Sequence, residues 1–487
     1  METYKILIDG KWVKSDSGET FESINPSNEE VIGKFQKGNR EDVKAAIDAA
    51  EDAFEKWSSY PAPRRGETLF KFYQLLKRDK EKLGKLVTQE MGKVLTEGLG
   101  DVQEAIDITA YMAGEGRRLF GHTTPSELPD KFCMTVRQSV GVVGLISPWN
   151  FPVAIPAWKL MPALICGNTV VFKPASDTPL CAIELVKILE EAGLPKGVVN
   201  LVTGPGSTVG EEIVTNPKIR AISFTGSREV GVEVTKKAEL KKVGLELGGK
   251  NGIIIMDDAN LDLALDGVIW GGFGTTGQRC TAASRVIVHK EIMEKFLDML
   301  FEETQNLKLG DGLKKDTDVG PLVNKKAVEK VDKYTQIGLE EGAKLLYGGR
   351  KIGGKGFFYQ PTIFTNVDID MRIAQEEIFG PTVSIIEIED LNEAIEVMNS
   401  IQYGLSSSIY TQDINKAFKA IEKIEAGLTY VNASTIGSEV HLPFGGVKDT
   451  GNGTREAGIE GIHEFSETKT VYVDYSGKLQ RAQIDIE

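Results

Sequence analysis

Short apolar strands alternate with helical segments between residues 139 and 250, and this alternation restricts the fold more than any other feature. Buried strands are predicted, from their length and β-branched content, at VGVVGLI, TVVFKP, VVNLVTG, AISFTGS and KVGLELGG. Helical spacing of apolar residues marks the intervening segments LCAIELVKILEEAG, STVGEEIVT and REVGVEVTKKA. The pattern predicts a parallel sheet with crossover helices, a Rossmann-like unit whose ligands bind at the carboxyl ends of the strands.

A second α/β unit is predicted after Lys250. It opens with the strand GIIIMDD, a helix to about Phe273, the loop GTTGQRC and the strand SRVIVH, and it continues to about Val431. Helical segments precede the first unit at residues 41–119, and the tail TKTVYVDYS reads as a terminal strand. A chain of 487 residues is too long for one core, so we expect more than one domain.

Composition excludes several classes of function. The net charge of −14 does not favour a nucleic-acid partner. The N-terminal segment has no apolar signal-like run and no segment is apolar enough to span a bilayer, so we expect no membrane association and a cytoplasmic location. The four cysteines and four histidines are scattered without CxxC or HExxH spacing, which predicts neither disulfides nor a metal site.

One of the four cysteines is a candidate for chemistry. Cys166 and Cys181 lie in apolar segments, as packing residues do. Cys280 instead follows a polar glycine turn and adjoins Arg279, where backbone N–H groups and a cation favour a thiolate. The alternatives are that Cys280 is a small buried hydrophobe and that Arg279 is a surface charge.

Three polar residues at strand ends each have a structural and a chemical interpretation. Glu246 in LELGGK is either a solvated carboxylate or, in an apolar cleft that raises its pKa, a general base. Asn150 in PWNFP is either a turn former or an amide donor to an oxyanion. Lys173 in FKPAS either extends to solvent or binds ribose or phosphate.

Glycine turns at 204–210 (GPGSTVG) and 224–231 (FTGSREVG) join strands to helices. Bare glycines let a pyrophosphate approach the backbone and a helix N-terminus. Neither segment is a GxGxxG fingerprint, and an ordinary turn is an equal alternative.

Seven motifs occur together in a fixed order between Pro148 and Gly446: PWNFP, FKPAS, FTGS, LELGGK, GQRC, EEIFGP and PFGG. In this combination the chain resembles the aldehyde dehydrogenase superfamily over essentially its whole length. The resemblance implies an α/β aldehyde dehydrogenase fold with three parts. These are a Rossmann-like dinucleotide-binding domain at 1–118 and 139–246, an α/β catalytic domain at 247–446, and a small β oligomerisation arm at 119–138 and 466–487. It also implies a homodimer or homotetramer.

The resemblance implies a mechanism as well. Cys280 attacks the aldehyde to give a thiohemiacetal, and the Asn150 amide and the Cys280 backbone N–H hold the oxyanion. Hydride transfer to NAD(P) leaves a thioester, and Glu246 activates the water that hydrolyses it to the carboxylic acid.

Cofactor residues follow from the same motifs. The resemblance assigns the cofactor to Trp149, Lys173, Ser176, Gly206, Gly210, Phe224, Gly226, Ser227, Glu377 and Phe379. NAD-preferring members often have a glutamate three residues after the lysine. Here the residue is the neutral Ser176, which removes the charge repulsion toward a 2′-phosphate that Lys173 could bind, and this favours NADP or dual use.

The substrate is less constrained. The stretches ISPWNFPVAIPAWK, GQRCTAASRVIV and SEVHLPFGGVK are similar to α-ketoglutarate-semialdehyde (2,5-dioxopentanoate) dehydrogenases. Arg279 either meets the anionic end of such a substrate or supports its loop. Trp158 stands where succinate-semialdehyde dehydrogenases tend to have arginine, and VKDTGNGTREAG departs from the common KxSGxGRE form.

Four alternatives remain open at this stage. One is a broad-specificity aldehyde dehydrogenase, and another is a CoA-acylating enzyme, whose relatives lack the glutamate present here as Glu246. The other two are a thiol esterase and a non-catalytic binding protein on this fold.

Overall fold

The computed structural model describes residues 2–485, so the first residue of the expected cofactor domain and the last two of the expected arm lie outside the described residues. The strands follow in chain order: β1 Thr3–Tyr4, β2 Ile6–Ile8, β3 Lys11–Val13, β4 Thr20–Ile24, β5 Val31–Gln36, β6 Thr123–Pro125, β7 Lys131–Ser139, β8 Val142–Ile146, β9 Thr169–Lys173, β10 Val199–Leu201, β11 Ile219–Thr225, β12 Lys242–Glu246, β13 Asn251–Ile255, β14 Ala283–His289, β15 Lys344–Tyr347, β16 Thr362–Thr365, β17 Thr382–Ile388, β18 Tyr403–Gly404, β19 Ser406–Tyr410, β20 Leu428–Val431, β21 Val447–Lys448 and β22 Ser466–Asp474.

The helices connect these strands. They are α1 Arg40–Ser59, α2 Ala62–Met91, α3 Leu95–Glu115, α4 Ala154–Ile165, α5 Pro179–Glu191, α6 Glu211–Thr215, α7 Arg228–Lys237, α8 Leu261–Phe273, α9 Met293–Asn306, α10 Lys325–Glu340, α11 Arg372–Gln375, α12 Leu391–Asn399, α13 Ile414–Lys423 and α14 Gly458–Glu464. Single π or 3₁₀ turns occur at Gly206–Gly210, Gly274–Gly277 and Lys290–Ile292. The segment STVGEEIVT, predicted as one helix, is thus a π turn followed by the short α6.

The first large sheet has the order β12-β11-β8-β9-β10-β2-β3. Its first five strands are parallel, and β2 and β3 extend it as an antiparallel edge. Strands β8 and β9 are buried along their whole length, because helices cover both faces of the sheet. One core contains α2 to α5, and the other contains α1, α6 and α7. The predicted parallel sheet with crossover helices is therefore confirmed.

The second large sheet has the order β15-β16-β17-β14-β13-β19-β20, parallel except for β15. Its two faces are also covered, by α8 and α9 on one side and by α10 to α13 on the other. The second α/β unit expected after Lys250 is this sheet with its helices.

A three-stranded antiparallel sheet, β22-β7-β6, stands apart from both. Strands β22 and β7 pair over nine residues, from Ser466 opposite Ser139 to Asp474 opposite Lys131. Two small sheets, β1-β5-β4 and β18-β21, complete the strand pairing of residues 2–485. No helix in this described range is long and apolar enough to cross a bilayer.

Candidate active site

The motif segments of the first sheet converge at one edge. Strand β8 runs into Trp149 and Asn150, β9 ends at Lys173, and β12 ends at Glu246. The second sheet begins opposite this edge, where the Asn251 side chain donates to the Cys280 carbonyl oxygen at 2.7 Å. The cleft between the sheets therefore collects the candidate residues at the carboxyl ends of parallel strands.

The loop that carries Cys280 is strained and held from outside. Thr275 and Thr276 adopt left-handed φ values of 52° and 58°, which non-glycine residues rarely take. Glu97, a buried carboxylate on α3, accepts from the Thr275 backbone N–H at 2.7 Å and from Arg279 Nη2 at 3.2 Å. The Gln278 side chain, fully buried, accepts from the Val323 N–H at 2.9 Å. The strain of the turn is thus balanced by contacts on both sides of it.

The Cys280 thiol faces a cavity but is not poised as a thiolate. Burial, and then the carboxylates of Glu246 and Glu377, raise its pKa to about 12. The backbone N–H groups of Thr281 and Cys280 act in the opposite direction. The backbone N–H groups expected from the sequence to lower the thiol pKa are present, but burial and the nearby carboxylates raise this pKa by more.

Arg279 is held by Thr275 of its own loop and by two aromatic rings. Its Nε donates to Thr275 Oγ1 at 2.8 Å, and its guanidinium lies 4.8 Å from the Trp270 ring centroid and 5.3 Å from that of Phe151. It is therefore neither a surface charge nor a partner of the thiolate. Within residues 2–485, Nη1 makes no hydrogen bond, and the side chain lines the cavity in front of Cys280.

Asn150 is buried beside Cys280. Its Nδ2 donates to the Gln278 carbonyl oxygen at 3.1 Å. An amide nitrogen carries two hydrogens, so one remains for another acceptor. Asn150 lines a cavity together with Cys280, which is the position an oxyanion donor needs.

Glu246 is a buried carboxylate without a hydrogen-bond partner for either oxygen among the described residues. Burial, and then the charge of Glu456, raise its pKa well above the ordinary value. Its side chain lines the same cavity as Cys280. The raised pKa agrees with the sequence expectation for a carboxyl in an apolar cleft.

A buried ion pair behind Glu246 was not anticipated from the sequence. Lys159 on α4 is fully buried and pairs with Glu456, and its Nζ also donates to Ser223 Oγ at 2.8 Å. The available signal was Lys159 itself, the one charged residue in the apolar helix AIPAWKLMPALI. Its partner lies 297 residues further along the chain, where no local pattern indicates it.

The cavity in front of Cys280 has a volume of about 500 Å³. Trp158 forms part of its wall, edge-on to Phe444 with ring centroids 5.2 Å apart. Three carboxylates, Glu104, Asp107 and Glu439, also line it. Burial, and then the charge of Asp101, raise the pKa of Glu104 to about 7. The cavity can hold a small aldehyde with polar groups at its far end.

A second cleft runs along the carboxyl edge of the first sheet to the opposite side of Cys280. It consists of two cavities of about 520 and 220 Å³ that share Trp149, Gly226 and Ser227 in their walls. Ser227 caps the N-terminus of α7, and a Cβ at Gly226 would lie 2.5 Å from the Phe224 ring. A bare backbone at a helix N-terminus suits a pyrophosphate, so these residues fit a dinucleotide.

Most of the expected cofactor residues line this cleft: Trp149, Lys173, Gly206, Gly210, Phe224, Gly226, Ser227, Glu377 and Phe379. Ser176 does not. It is exposed beside the lining residue Ala175, and its hydroxyl donates to the Gly204 carbonyl oxygen at 3.3 Å. A group bound there would meet Ser176 at the rim of the cleft.

Three of these residues are held in defined positions. Glu377 accepts from the Gly249 N–H at 2.9 Å. Phe379 has a φ of 63° and packs edge-on against Trp149 at 5.5 Å. A left-handed φ at a bulky residue is strained and marks a functional segment. Among residues 2–485, no group of three or more His, Cys, Asp or Glu side chains is arranged to hold a metal ion.

This architecture defines a class: an α/β enzyme in which a dinucleotide-sized cleft and a small-substrate cavity meet at a single cysteine. The aldehyde dehydrogenase family model matches residues 12–471, so the chain belongs to the aldehyde dehydrogenase family. It is an NAD(P)-dependent aldehyde dehydrogenase, and the resemblance seen in its motifs is confirmed.

Relatives cover nearly the whole chain. It is 43% identical to an α-ketoglutaric semialdehyde dehydrogenase of Bacillus subtilis, over 97% of this chain and 98% of the relative. It is 45% identical to an α-ketoglutarate semialdehyde dehydrogenase of Haloferax volcanii, over 97% and 99%. A betaine aldehyde dehydrogenase from Staphylococcus aureus, solved with NAD⁺, superimposes with a TM-score of 0.96 at 37% identity, covering 98% of this chain and 95% of that one.

Proposed function

We propose that this enzyme oxidises α-ketoglutarate semialdehyde to α-ketoglutarate. The observation that carries the proposal is Arg279, whose side chain lines the cavity that also contains Cys280 and whose Nη1 makes no hydrogen bond in the described part of the chain. A guanidinium is well suited to a carboxylate. The identity of 43% and 45% to relatives named for this substrate supports it.

Cys280 acts as the nucleophile in the proposed reaction. Its sulfur bonds to the aldehyde carbon, and the carbonyl oxygen becomes an oxyanion that accepts from the free Asn150 N–H and the Cys280 backbone N–H. Because the pKa of the thiol is high, its proton must pass to a base as the bond forms, and in this proposal the Glu246 carboxylate in the same cavity accepts it and releases it before the hydrolysis step. The N–H groups already directed at the sulfur reduce that cost.

A bound nicotinamide supplies the acceptor for the hydride that leaves the former aldehyde carbon, and a thioester on Cys280 remains. Glu246 then accepts a proton from the water that attacks the thioester carbon. The carbon–sulfur bond breaks and the carboxylic acid leaves. Because burial and Glu456 raise the pKa of Glu246, the carboxyl is a stronger base than an exposed glutamate once it is ionised.

We propose NADP as the preferred cofactor, with NAD as an alternative. Ser176 places no negative charge at the rim of the cleft. Lys173 ends β9 in the cleft wall, and burial lowers its pKa to about 8. A 2′-phosphate would stabilise the charged form of this lysine.

We further propose that the protein is a cytoplasmic homodimer or homotetramer, divided into domains at the bounds expected from its motifs. The sheet of β6, β7 and β22 exposes several large apolar side chains: Phe132, Tyr472, Val473 and Tyr475. Such a surface on a protruding sheet is suited to pairing between subunits. Sedimentation equilibrium distinguishes dimer from tetramer, and a monomer at micromolar concentration would contradict the proposal.

A second candidate substrate class follows from the cavity walls. The carboxylates of Glu104, Asp107 and Glu439 favour an aldehyde with a cationic end, such as betaine aldehyde. The structural relative from Staphylococcus aureus is named for that substrate.

The testing experiment measures reduced-nicotinamide absorbance with NAD and NADP separately. α-Ketoglutarate semialdehyde is compared with succinate semialdehyde, glyceraldehyde, betaine aldehyde and a plain aliphatic aldehyde. We expect the highest kcat/KM for α-ketoglutarate semialdehyde, abolished in Cys280→Ala. Preference for betaine aldehyde would favour the second candidate. Equal turnover of all substrates would favour a broad-specificity enzyme and contradict both.

A further inference from the structure

We propose that Glu464 is a third carboxylate of the catalytic centre, a positioning residue that exchanges protons with Glu246 and sets the pH range of thioester hydrolysis. The inference rests on the proposed role of Glu246 as the base. Glu464 lies at the end of α14 and touches neither the substrate cavity nor the cofactor cleft as their walls are defined.

Glu464 is buried without a partner. Its residue is 6% exposed, and neither carboxylate oxygen makes a hydrogen bond within residues 2–485. Removing an ionised carboxylate from water is costly unless it is paired or protonated. The only other carboxylate of the described chain that is so buried with both oxygens unpartnered is Glu246.

Strand β12, which carries Glu246, has a glycine at the position where Glu464 packs against it. Gly244 is buried within β12, and a Cβ at this position would overlap Glu464 Oε1. Glycine inside a strand weakens it and marks a close approach of another group. The approaching group here is the carboxylate of Glu464.

Side chains alternate between the two faces of β12, and this alternation places Glu464 on the same face as Glu246. Lys242, Gly244 and Glu246 lie on one face of the strand, because side chains two residues apart share a face. Glu464 lies over the middle of this stripe. Lys242, at its outer end, is half-buried and donates to the carbonyl oxygens of His463 and Ser466 at 2.6 and 3.1 Å. The stripe thus leads from the cavity to the edge of the protein.

The ion pair of Lys159 and Glu456 contacts the neighbouring strand, beside Gly244. Ser223 is the direct neighbour of Gly244 in the parallel ladder of β11 and β12. Its hydroxyl accepts from Lys159 Nζ at 2.8 Å and lies 3.4 Å from Glu456. A hydroxyl, an ammonium and a carboxylate therefore lie together at the strand that adjoins Gly244, within the charged surroundings that Glu246 and Glu464 share.

Charge balance couples the ionisation of Glu246 to that of Glu464. The buried ammonium of Lys159 already pairs with Glu456, and two further buried carboxylates that act on each other do not both ionise readily at neutral pH. Burial, and then Glu456, raise the pKa of Glu464 to about 7. The charged and hydroxyl groups that act on Glu246 and Glu464 are Lys159 of α4, Ser223 of β11, Lys242 of β12, and Arg455 and Glu456 of the loop before α14. Lys242 is in turn surrounded by Cys166, which follows α4, by Glu467 of β22 and by Arg137 of β7.

The proton balance of hydrolysis gives Glu464 its role. Water oxygen bonds to the thioester carbon, the carbon–sulfur bond breaks with its electrons going to Cys280, and one water proton goes to Glu246. Glu246 must lose this proton before the next turnover. Neither Glu246 nor Glu464 has a hydrogen-bond partner within residues 2–485, so the proposed route follows the face of β12 by way of a bridging water to Glu464 over Gly244 and leaves beside Lys242. An ionised Glu464 also raises the pKa of Glu246.

The test follows hydrolysis without a nicotinamide or a natural substrate. p-Nitrophenyl acetate acetylates Cys280, and mass spectrometry of quenched samples follows the loss of the acetyl adduct between about pH 5 and pH 9, where carboxyl groups with raised pKa values titrate. In Glu464→Gln, loss of the neighbouring negative charge lowers the pKa of Glu246. We expect the acid limb of the hydrolysis rate to move down by about one pH unit, the scale of coupled titrating groups.

Two further variants distinguish a wrong role for Glu464 from a wrong role for Glu246. Glu460→Gln removes a carboxylate from the half-exposed side of the same helix and must leave the acid limb unchanged. In Glu246→Gln the adduct must persist, and wild-type hydrolysis there would refute the proposed base. If the adduct persists in Glu246→Gln but the acid limb of Glu464→Gln superimposes on that of the wild type, only the proposed role of Glu464 is overturned. If Glu464→Gln does not fold, Gly244→Ala displaces the Glu464 carboxylate and must shift the limb in the same direction.

Discussion

Glu97 offers the sharpest test of how the loop that carries Cys280 is held. Its carboxylate, whose side chain is 4% exposed, accepts from the Thr275 N–H at 2.7 Å and from Arg279 Nη2 at 3.2 Å. In Glu97→Ala both donors lose their acceptor, and a buried donor without a partner costs about 1–3 kcal/mol. The turn also contains two left-handed threonines, so this loss allows it to relax.

Relaxation of the turn displaces Cys280. A displacement of about 1 Å lowers the rate of a positioned reaction by about 100-fold. We therefore expect the hydride burst in Glu97→Ala, measured by stopped-flow absorbance of reduced nicotinamide, to slow by about that factor. Glu97→Gln is the matched control, because its amide oxygen still accepts from Thr275 while the charge opposite Arg279 is lost. It should fall between wild type and Glu97→Ala.

The result that would refute this reasoning is a wild-type burst rate in Glu97→Ala. It would show that the loop holds its geometry through Gln278 alone. A slow burst with an unchanged circular dichroism spectrum would separate loss of position from loss of folding.

Three further predictions concern the thiol and the cofactor cleft. Because burial raises the pKa of Cys280 to about 12, its alkylation by iodoacetamide in the free enzyme should accelerate about tenfold per pH unit from pH 7 to pH 9, and a plateau in that range would contradict the raised pKa. Gly226→Ala should weaken NADP binding in calorimetry, since the new Cβ would lie 2.5 Å from the Phe224 ring, and unchanged affinity would show that this backbone does not approach the cofactor. Ser176→Glu should lower kcat/KM for NADP by about tenfold, or about 1.4 kcal/mol, through repulsion of the 2′-phosphate, whereas Ser176→Gln should not. An equal loss in both Ser176 variants would indicate a steric cause.

The strands, the helices and the position of the cleft can be predicted from the sequence because they depend on local patterns of residues. Periodicity places strand β8, strand β9 and helix α8 close to where the structure has them, since apolar spacing reflects the geometry of each element. Glycine and polar residues at strand ends indicate the cleft, because carboxyl ends of parallel strands share an edge. Asn150 and Glu246 are thus predictable at one edge of the sheet, and the family resemblance adds Cys280 to them.

Tertiary structure alone decides the electrostatics of these residues. The sequence places Arg279 beside Cys280, yet the guanidinium turns to Glu97 on α3, and the thiol pKa rises where a cation would have lowered it. Side-chain direction depends on partners that are distant in sequence, and Glu97 is 182 residues away. No local pattern contains that information.

The buried carboxylates Glu246, Glu456 and Glu464 show the same difference between what the sequence and what the tertiary structure determine. The sequence by itself determined a parallel α/β framework and the family, and it singled out Cys280 as the candidate nucleophile. Only the folded chain brings Lys159 to Glu456 across 297 residues and lays Glu464 over Gly244. The pKa of a buried group depends on burial and on the charges around it, and both are properties of the packed molecule.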